Sequence, residues 1–309
     1  MVKTSSLRIT SQTLSFIVIN LAFLAPLYTG IPLAILSCNY LKIRIFDCFL
    51  YVLQEGLSTG SLAGTTYLYN FAAMVVVFVV MALLLGTAWC GWICPLGYVQ
   101  DVLTKGRALS GIGYYRVPAR IQRHVKLLKY VFLAAIVVIS LGIALPNIRE
   151  SKLRNTLFLP LCQVCPAKPL FLYLQILLGI LPPTTQVPLL SIVILPIFLV
   201  GAIAIRRGWC IVCPNLGLLS LFHRLNAVSL FRRRERCTKC GTCTRVCAMD
   251  APNDGIHGDV SRPECIRCFQ CVEMCPGNAS RTSYFFQRRI LGSKFHAGRP
   301  VKKSVADRA

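Results

Sequence analysis

Acidic residues are what this chain has least of. Eleven Asp and Glu face 34 Lys and Arg, for a net charge of +23, and charged residues occupy only 15% of 309 positions. A soluble globular chain carries roughly 25% charge. Histidine is also scarce: the four are His124, His223, His257 and His296, and none lies inside a long apolar run. That argues against a bis-histidine haem in a membrane, and the absence of any C-x-x-C-H run argues against covalent haem. No glycine-rich phosphate loop follows a strand-like segment, so no built-in flavin or nicotinamide site is expected.

What is abundant is apolar. Such residues make up 55% of the chain, with a mean hydropathy of +0.61. This composition fits a polytopic α-helical membrane protein with a soluble appendage. The basic excess then reads as the Lys and Arg that membrane proteins keep on cytoplasmic loops, and no nucleic-acid partner is expected. A basic face turned toward an acidic redox protein is a further use of the same charge.

About 20 apolar residues cross a bilayer as a helix. Four charge-free stretches are long enough, at 13–36, 67–87, 130–148 and 187–205. The first follows Lys3 and Arg8 but is too long for a signal peptide and ends in no small-x-small site, so it reads as a retained helix. A shorter apolar run, 170–181, precedes Pro182-Pro183 and reads as re-entrant or interfacial. The loop from Cys90 to Lys129 holds seven basic residues against Asp101 alone. It is therefore assigned to the cytoplasm, and four spans bring both termini to the same side. From Arg206 onward 19 basic residues face 7 acidic ones, which agrees. The expected location is a bacterial cytoplasmic membrane, crossed several times.

Composition divides the chain into a membrane domain at 1–231, a cysteine-rich domain at 232–283 and a basic tail at 284–309. Of the sixteen cysteines, all but Cys38 and Cys48 fall in closely spaced runs. Residues 237–247 and 265–275 both follow C-x2-C-x2-C-x3-C, and the second run is followed by Pro276. This is the bacterial ferredoxin spacing, in which the fourth cysteine of each run serves the other cluster. Two [4Fe–4S] clusters are expected in a ferredoxin-like α+β domain. Cluster I takes Cys237, Cys240, Cys243 and Cys275, and cluster II takes Cys265, Cys268, Cys271 and Cys247. A structural zinc site has no need of eight cysteines so spaced, and disulfides do not suit the cytoplasmic side. Cys247 is followed by Ala248 rather than proline. The basic neighbours Lys239, Arg245 and Arg267 either raise the cluster potentials or are solvated surface charges.

Three further pairs precede proline: Cys90/Cys94-Pro95, Cys162/Cys165-Pro166 and Cys210/Cys213-Pro214. The first and third each follow an apolar span and a Trp, as an internal repeat would. The topology above places Cys90, Cys94, Cys210 and Cys213 on the cytoplasmic face, as a further redox centre or as buried structural thiols. It places Cys38, Cys48, Cys162 and Cys165 on the opposite face, as a second redox centre, as disulfides or as structural thiols. Tyr98, Asp101 and Lys126 are candidates for quinol or proton contacts, or ordinary interfacial residues.

At Cys90-Gly-Trp-Ile-Cys-Pro-Leu-Gly97, at Cys210-Ile-Val-Cys-Pro-Asn-Leu-Gly217 and at the double ferredoxin run, the sequence resembles the NapH/MauN family of membrane ferredoxin-type proteins, related to the membrane parts of NosR and CcoG. The resemblance covers about residues 65–280. Its NapH-like side implies a quinol-dehydrogenase-type subunit that takes electrons from quinol and feeds a periplasmic redox partner. Its MauN-like and CcoG-like side implies reductive maturation of a metalloenzyme. The chain departs from the pattern in the two-residue spacing of Cys210 and Cys213 and in the additional Cys162/Cys165 pair.

Overall fold

The computed structural model describes residues 4–21, 33–35, 46–59, 65–113, 115, 119–144, 160–179, 182, 189–223, 225–233, 235–250, 258–259, 262–277 and 279–284. The structure is mostly helical. Along the chain come α1 (Thr4–Leu21), β1 (Leu33–Ile35), β2 (Phe46–Cys48), α2 (Phe49–Thr59), α3 (Thr65–Leu84), α4 (Ala88–Trp92), α5 (Pro95–Leu109) and α6 (Ala119–Ala144). Then follow α7 (Pro160–Val164), α8 (Ala167–Leu177), α9 (Leu189–Ala204), α10 (Gly208–Val212) and α11 (Pro214–Leu221). The C-terminal part holds β3 (Val228–Arg232), α12 (Thr242–Arg245), β4 (Gly258–Asp259), α13 (Gln270–Glu273) and β5 (Ser280–Tyr284).

Among the described residues one helical stretch, His124–Ala144 of α6, is long and apolar enough to cross a membrane. Its buried stripe is Lys129, Ile136, Ser140 and Ile143, at helical spacing. Val131, Val138 and Leu141 point outward. Apolar residues are exposed in the same way on α3 (Val76, Val80) and α9 (Val193, Ile197, Val200). Shorter apolar stretches are Phe71–Leu84, Ala167–Leu177 and Ile192–Ala204. The stretch expected to span at 13–36 is helical to Leu21, and residues 22–32 lie outside the described residues, as do Cys38, His257, His296 and residues 285–309.

The core of the N-terminal helical part forms where α3 meets α2 and α11. Met74, Phe78 and Ala82 recur every four residues on the inner face of α3. Phe78 stacks on Phe49 with ring centroids 4.1 Å apart. The chain leaves α11 into β3, the central strand of a three-stranded antiparallel sheet ordered β4-β3-β5. Val228 pairs with Tyr284, and Arg232 with Ser280. The Ala227 amide donates to the Leu83 carbonyl at 2.8 Å, fixing the sheet to the end of α3.

Candidate iron–sulfur and thiol sites

Each ferredoxin run turns sharply. Lys239, Gly241, Arg267 and Phe269 all have positive φ. Only Gly241 adopts that region without steric cost, so the other turns are imposed by their surroundings. Cys247, Cys265, Cys268 and Cys271 line one cavity, walled by Leu230, Met249, Ile266 and Phe269. This is the set expected for cluster II, with Cys247 arriving from the other run. The apolar wall excludes water, and burial pushes the Cys271 thiol well up, with the neighbouring thiols adding to it. A cysteine cage of this kind fits a [4Fe–4S] cube.

Of the other four cysteines, Cys237, Cys243 and Cys275 are half-buried like the first set. Gly277, two residues past Cys275, presses on the backbone before Cys237: a β-carbon there would meet the Arg236 carbonyl oxygen at 2.3 Å. That approach brings the end of the second run to the start of the first. The Ala279 amide donates to Cys275 Sγ at 3.2 Å. Cys240 is exposed, and a hydrogen bond with Thr242 draws its pKa down to about 7.

The Cys-Pro units share one geometry. Cys94 (φ −57°, ψ 117°) and Cys213 (φ −64°, ψ 121°) are both the N-caps of helices that begin with proline. Proline forces the preceding residue into extended backbone and suits the first helical position. The Cys94 carbonyl accepts from the Tyr98 amide, and that of Cys213 from Gly217, both at 3.0 Å. Cys90 and Cys210 precede them on the short helices α4 and α10, and both are buried. The four thiols of the two units interact with one another. Burial pushes all four upward, Cys210 to about 11, where Arg207 opposes the rise. Gln100 Nε2 donates to Cys210 Sγ at 3.4 Å.

Two buried cations flank this quartet. Arg207, 1% exposed, donates to the Cys90 carbonyl at 2.6 Å and grips both oxygens of Asp101, at 2.9 and 2.5 Å. Lys129 pairs with Glu264 at 3.8 Å and interacts with Cys90 and Cys213. Arg8 also pairs with Asp101 and donates to the Gly91 carbonyl at 2.9 Å. Gln12 bridges the same carbonyl and the same carboxylate at 3.0 Å. Burial pushes Asp101 up, but the two arginines and Gln12 outweigh it and hold the carboxyl at about 2. Asp101, by sequence a candidate for a quinol or proton contact or an ordinary interfacial residue, has its carboxylate engaged by two guanidinium groups. The Tyr98 hydroxyl is hydrogen-bonded to Thr13 at 3.2 Å.

The cluster II loop sits directly on the first Cys-Pro unit. Thr87 donates to the Cys265 carbonyl at 2.7 Å, and the Trp92 indole donates to the Arg267 carbonyl at 2.9 Å. Gly91 lies under Ile266 with no room for a side chain. Arg267 is 1% exposed, so the reading of it as a solvated charge is corrected. Its guanidinium donates to the His223 carbonyl at 3.0 Å and to the Asn226 side-chain oxygen, while the Asn226 amide donates to the Ala82 and Phe222 carbonyls at 2.7 Å. Lys239 and Arg245 are on the surface, and Arg245 donates to the Cys240 carbonyl at 3.2 Å.

The third pair is placed differently from its expected position. Cys165 packs in one apolar cluster with Cys94, Leu96, Phe171, Phe198 and Trp209, on the quartet's side rather than across from it. The following helix α8, within the short run expected at 170–181, is 11 residues long and packs against α9. Among the described residues no three His, Cys, Asp or Glu side chains close on a single ion.

A family model described as a 4Fe–4S binding domain matches the chain twice, at 67–113 and 187–236. These are the two span-plus-Cys-Pro units. One described as a 4Fe–4S dicluster domain matches 229–276. YccM of Escherichia coli, whose name assigns it provisionally to electron transport, is 28% identical over 79% of this chain and 63% of its own length. The ferredoxin-type protein NapH of Escherichia coli is 26% identical over 78% of this chain and 77% of its own. The methylamine utilization ferredoxin-type protein MauN of Methylorubrum extorquens is 26% identical over 64% of this chain and 58% of its own. The chain thus spans less than two thirds of YccM and of MauN. No solved structure matches.

Proposed function

From its membership of the NapH/MauN-type ferredoxin family, we propose that this chain carries electrons between membrane quinol and a redox protein by way of three thiol sites. The observation that carries this reading is the seating of Cys265–Cys268 on the Cys90–Cys94 unit, which joins the ferredoxin domain to the membrane part through Thr87, Gly91 and Trp92. Cys237, Cys240, Cys243 and Cys275 would hold cluster I, and Cys265, Cys268, Cys271 and Cys247 cluster II. Cys90, Cys94, Cys210 and Cys213 would hold a third redox centre, in line with the double family match over their two units. When bound, a [4Fe–4S] cube accepts and returns single electrons.

The chain's own part is position and charge. Ile266, Phe269, Met249 and Leu230 keep water from the inner cage. Arg207, Lys129 and Arg267 place positive charge beside thiols in a medium of low polarity, where it favours the more negative, reduced state. Cys240 and its basic neighbours Lys239 and Arg245 form the exposed end, suited to an acidic redox protein. The exposed valines and isoleucines of α3, α6 and α9 suit lipid, in a four-span arrangement with termini and ferredoxin domain on the cytoplasmic side of a bacterial inner membrane.

An anaerobic EPR spectrum of the detergent-purified protein, recorded after adding a reduced menaquinol analogue, tests this. Reduced-cube signals are expected. Signals that appear only with dithionite would overturn the quinol reading and favour electron delivery from a cytoplasmic donor, as a maturation factor would use.

A further inference from the structure

We propose that Cys48, Cys162 and Cys165 hold a further iron–sulfur cluster, in the interior of the membrane part beyond the quartet. The matched family segments include none of these three residues. The proposal rests on the preceding functional reading only for its place in a relay; as a binding site it stands separately.

The first argument is structural repetition. α7, Cys165, Pro166 and α8 repeat the order of short helix, cysteine, proline and helix seen at α4–α5 and α10–α11. Cys162 lies on the short helix, as Cys90 and Cys210 do. The third unit thus carries two cysteines in the same order, although there Pro166 rather than the cysteine caps the following helix.

The second argument is that another element delivers the third thiol to the same place. Cys48 ends β2 and leads into α2. The buried Gln54 of α2 accepts a hydrogen bond from the Leu161 amide at 3.0 Å, fastening α2 to the start of α7. Leu161, Leu50 and Ile136 form one apolar cluster with Cys48 packed against it. Cys162 interacts with Cys48 and Cys165, and Cys165 with Cys48 and Cys94. Glu55 of α2 and Lys168 of α8 act on Cys162 from either side.

The third argument is position. Ile136 lies seven residues further along α6 than Lys129, the residue beside the quartet. At 1.5 Å per residue that is about 10 Å deeper. Three soft thiols in an apolar setting are what an iron–sulfur cluster takes.

The test uses the whole chain, purified anaerobically in detergent, with iron and acid-labile sulfide counted per chain. Four cubes give about sixteen irons and three give about twelve. Cys162→Ser with Cys165→Ser should lose about four irons while the dithionite-reduced EPR signals of the ferredoxin domain persist. Cys48→Ser should have the same or a lesser effect. Unchanged iron and sulfide in the double variant would overturn the proposal. So would a Cys162–Cys165 disulfide, or free thiols alkylated by maleimide, in the unmutated protein. If the double variant does not accumulate, the iron count and Mössbauer spectrum of the unmutated chain decide between four centres and three. Cys90→Ser with Cys210→Ser separates the two readings. Iron retained there but lost on changing Cys162 and Cys165 would sink the quartet and leave this site standing; the reverse would do the opposite.

Discussion

Gly91 lies so close beneath Ile266 that a β-carbon on it would stand 2.2 Å from the Ile266 carbonyl oxygen. The obstacle is backbone, held by the Thr87 and Trp92 hydrogen bonds on either side, so it cannot swing away. Gly91→Ala should therefore lift the cluster II loop from the Cys-Pro unit. A cost of about 1–3 kcal/mol is expected for forced overpacking. Limited proteolysis should release the ferredoxin domain sooner than in the unmutated protein. Unchanged cleavage would show that the two parts are not held at this point.

Asp101→Asn leaves two buried guanidinium groups facing a neutral amide. Removing one partner of a buried ion pair costs roughly 3–5 kcal/mol, and the melting temperature should fall accordingly. The pH dependence follows from a carboxyl held at about 2 against an ordinary value of 3.8. A depressed carboxyl stabilises the fold above its unfolded value and loses that contribution as pH falls from about 4 toward 2. The gap in melting temperature between the two proteins should therefore stay constant from pH 5 to pH 8. A gap that changes within that interval would point to a different titrating group.

Gln100→Leu removes the N–H···S hydrogen bond to Cys210 while keeping an apolar side chain of similar size. Hydrogen bonds to ligand sulfur raise cluster potentials. The quartet's midpoint potential should fall in a redox titration, with the ferredoxin signals unmoved. The variant also takes from the Trp209 amide its acceptor, the Gln100 side-chain oxygen at 3.2 Å, so the stability cost is about 1–3 kcal/mol.

Gln175 is 2% exposed, and neither of its amide atoms has a hydrogen-bond partner among the described residues. An unpaired buried amide costs about 1–3 kcal/mol. Gln175→Leu should raise the melting temperature in detergent. A fall instead would mean that the carboxamide is satisfied in the working protein.

The grouping of Cys265, Cys268 and Cys271 around one cavity was legible in the sequence because its geometry is local: the run carries its own spacing. The Cys-Pro units were legible for the same reason. The network around Asp101 was not, since Arg8 and Arg207 are 93 and 106 positions away and no periodicity links them. One signal was present, a single acid in a loop of seven basic residues, but nothing local names its partners. The opposite-face assignment of Cys162 and Cys165 followed from counting crossings, and only the packing of Cys165 with Cys94 and Trp209 brings that pair toward the quartet. Cys48 belongs to no motif, and the packing of α2 against α6 and α7 sets its surroundings.

The grip of α1 has a consequence for how the protein is made. Ser5 donates its amide to Glu273 at 3.1 Å, and Arg8 and Gln12 hold Gly91 and Asp101. α1 thus binds residues that emerge from the ribosome after it, the last of them near the end of the second ferredoxin run. Its polar face gains these partners only once that run has been made, so translation order sets when α1 docks.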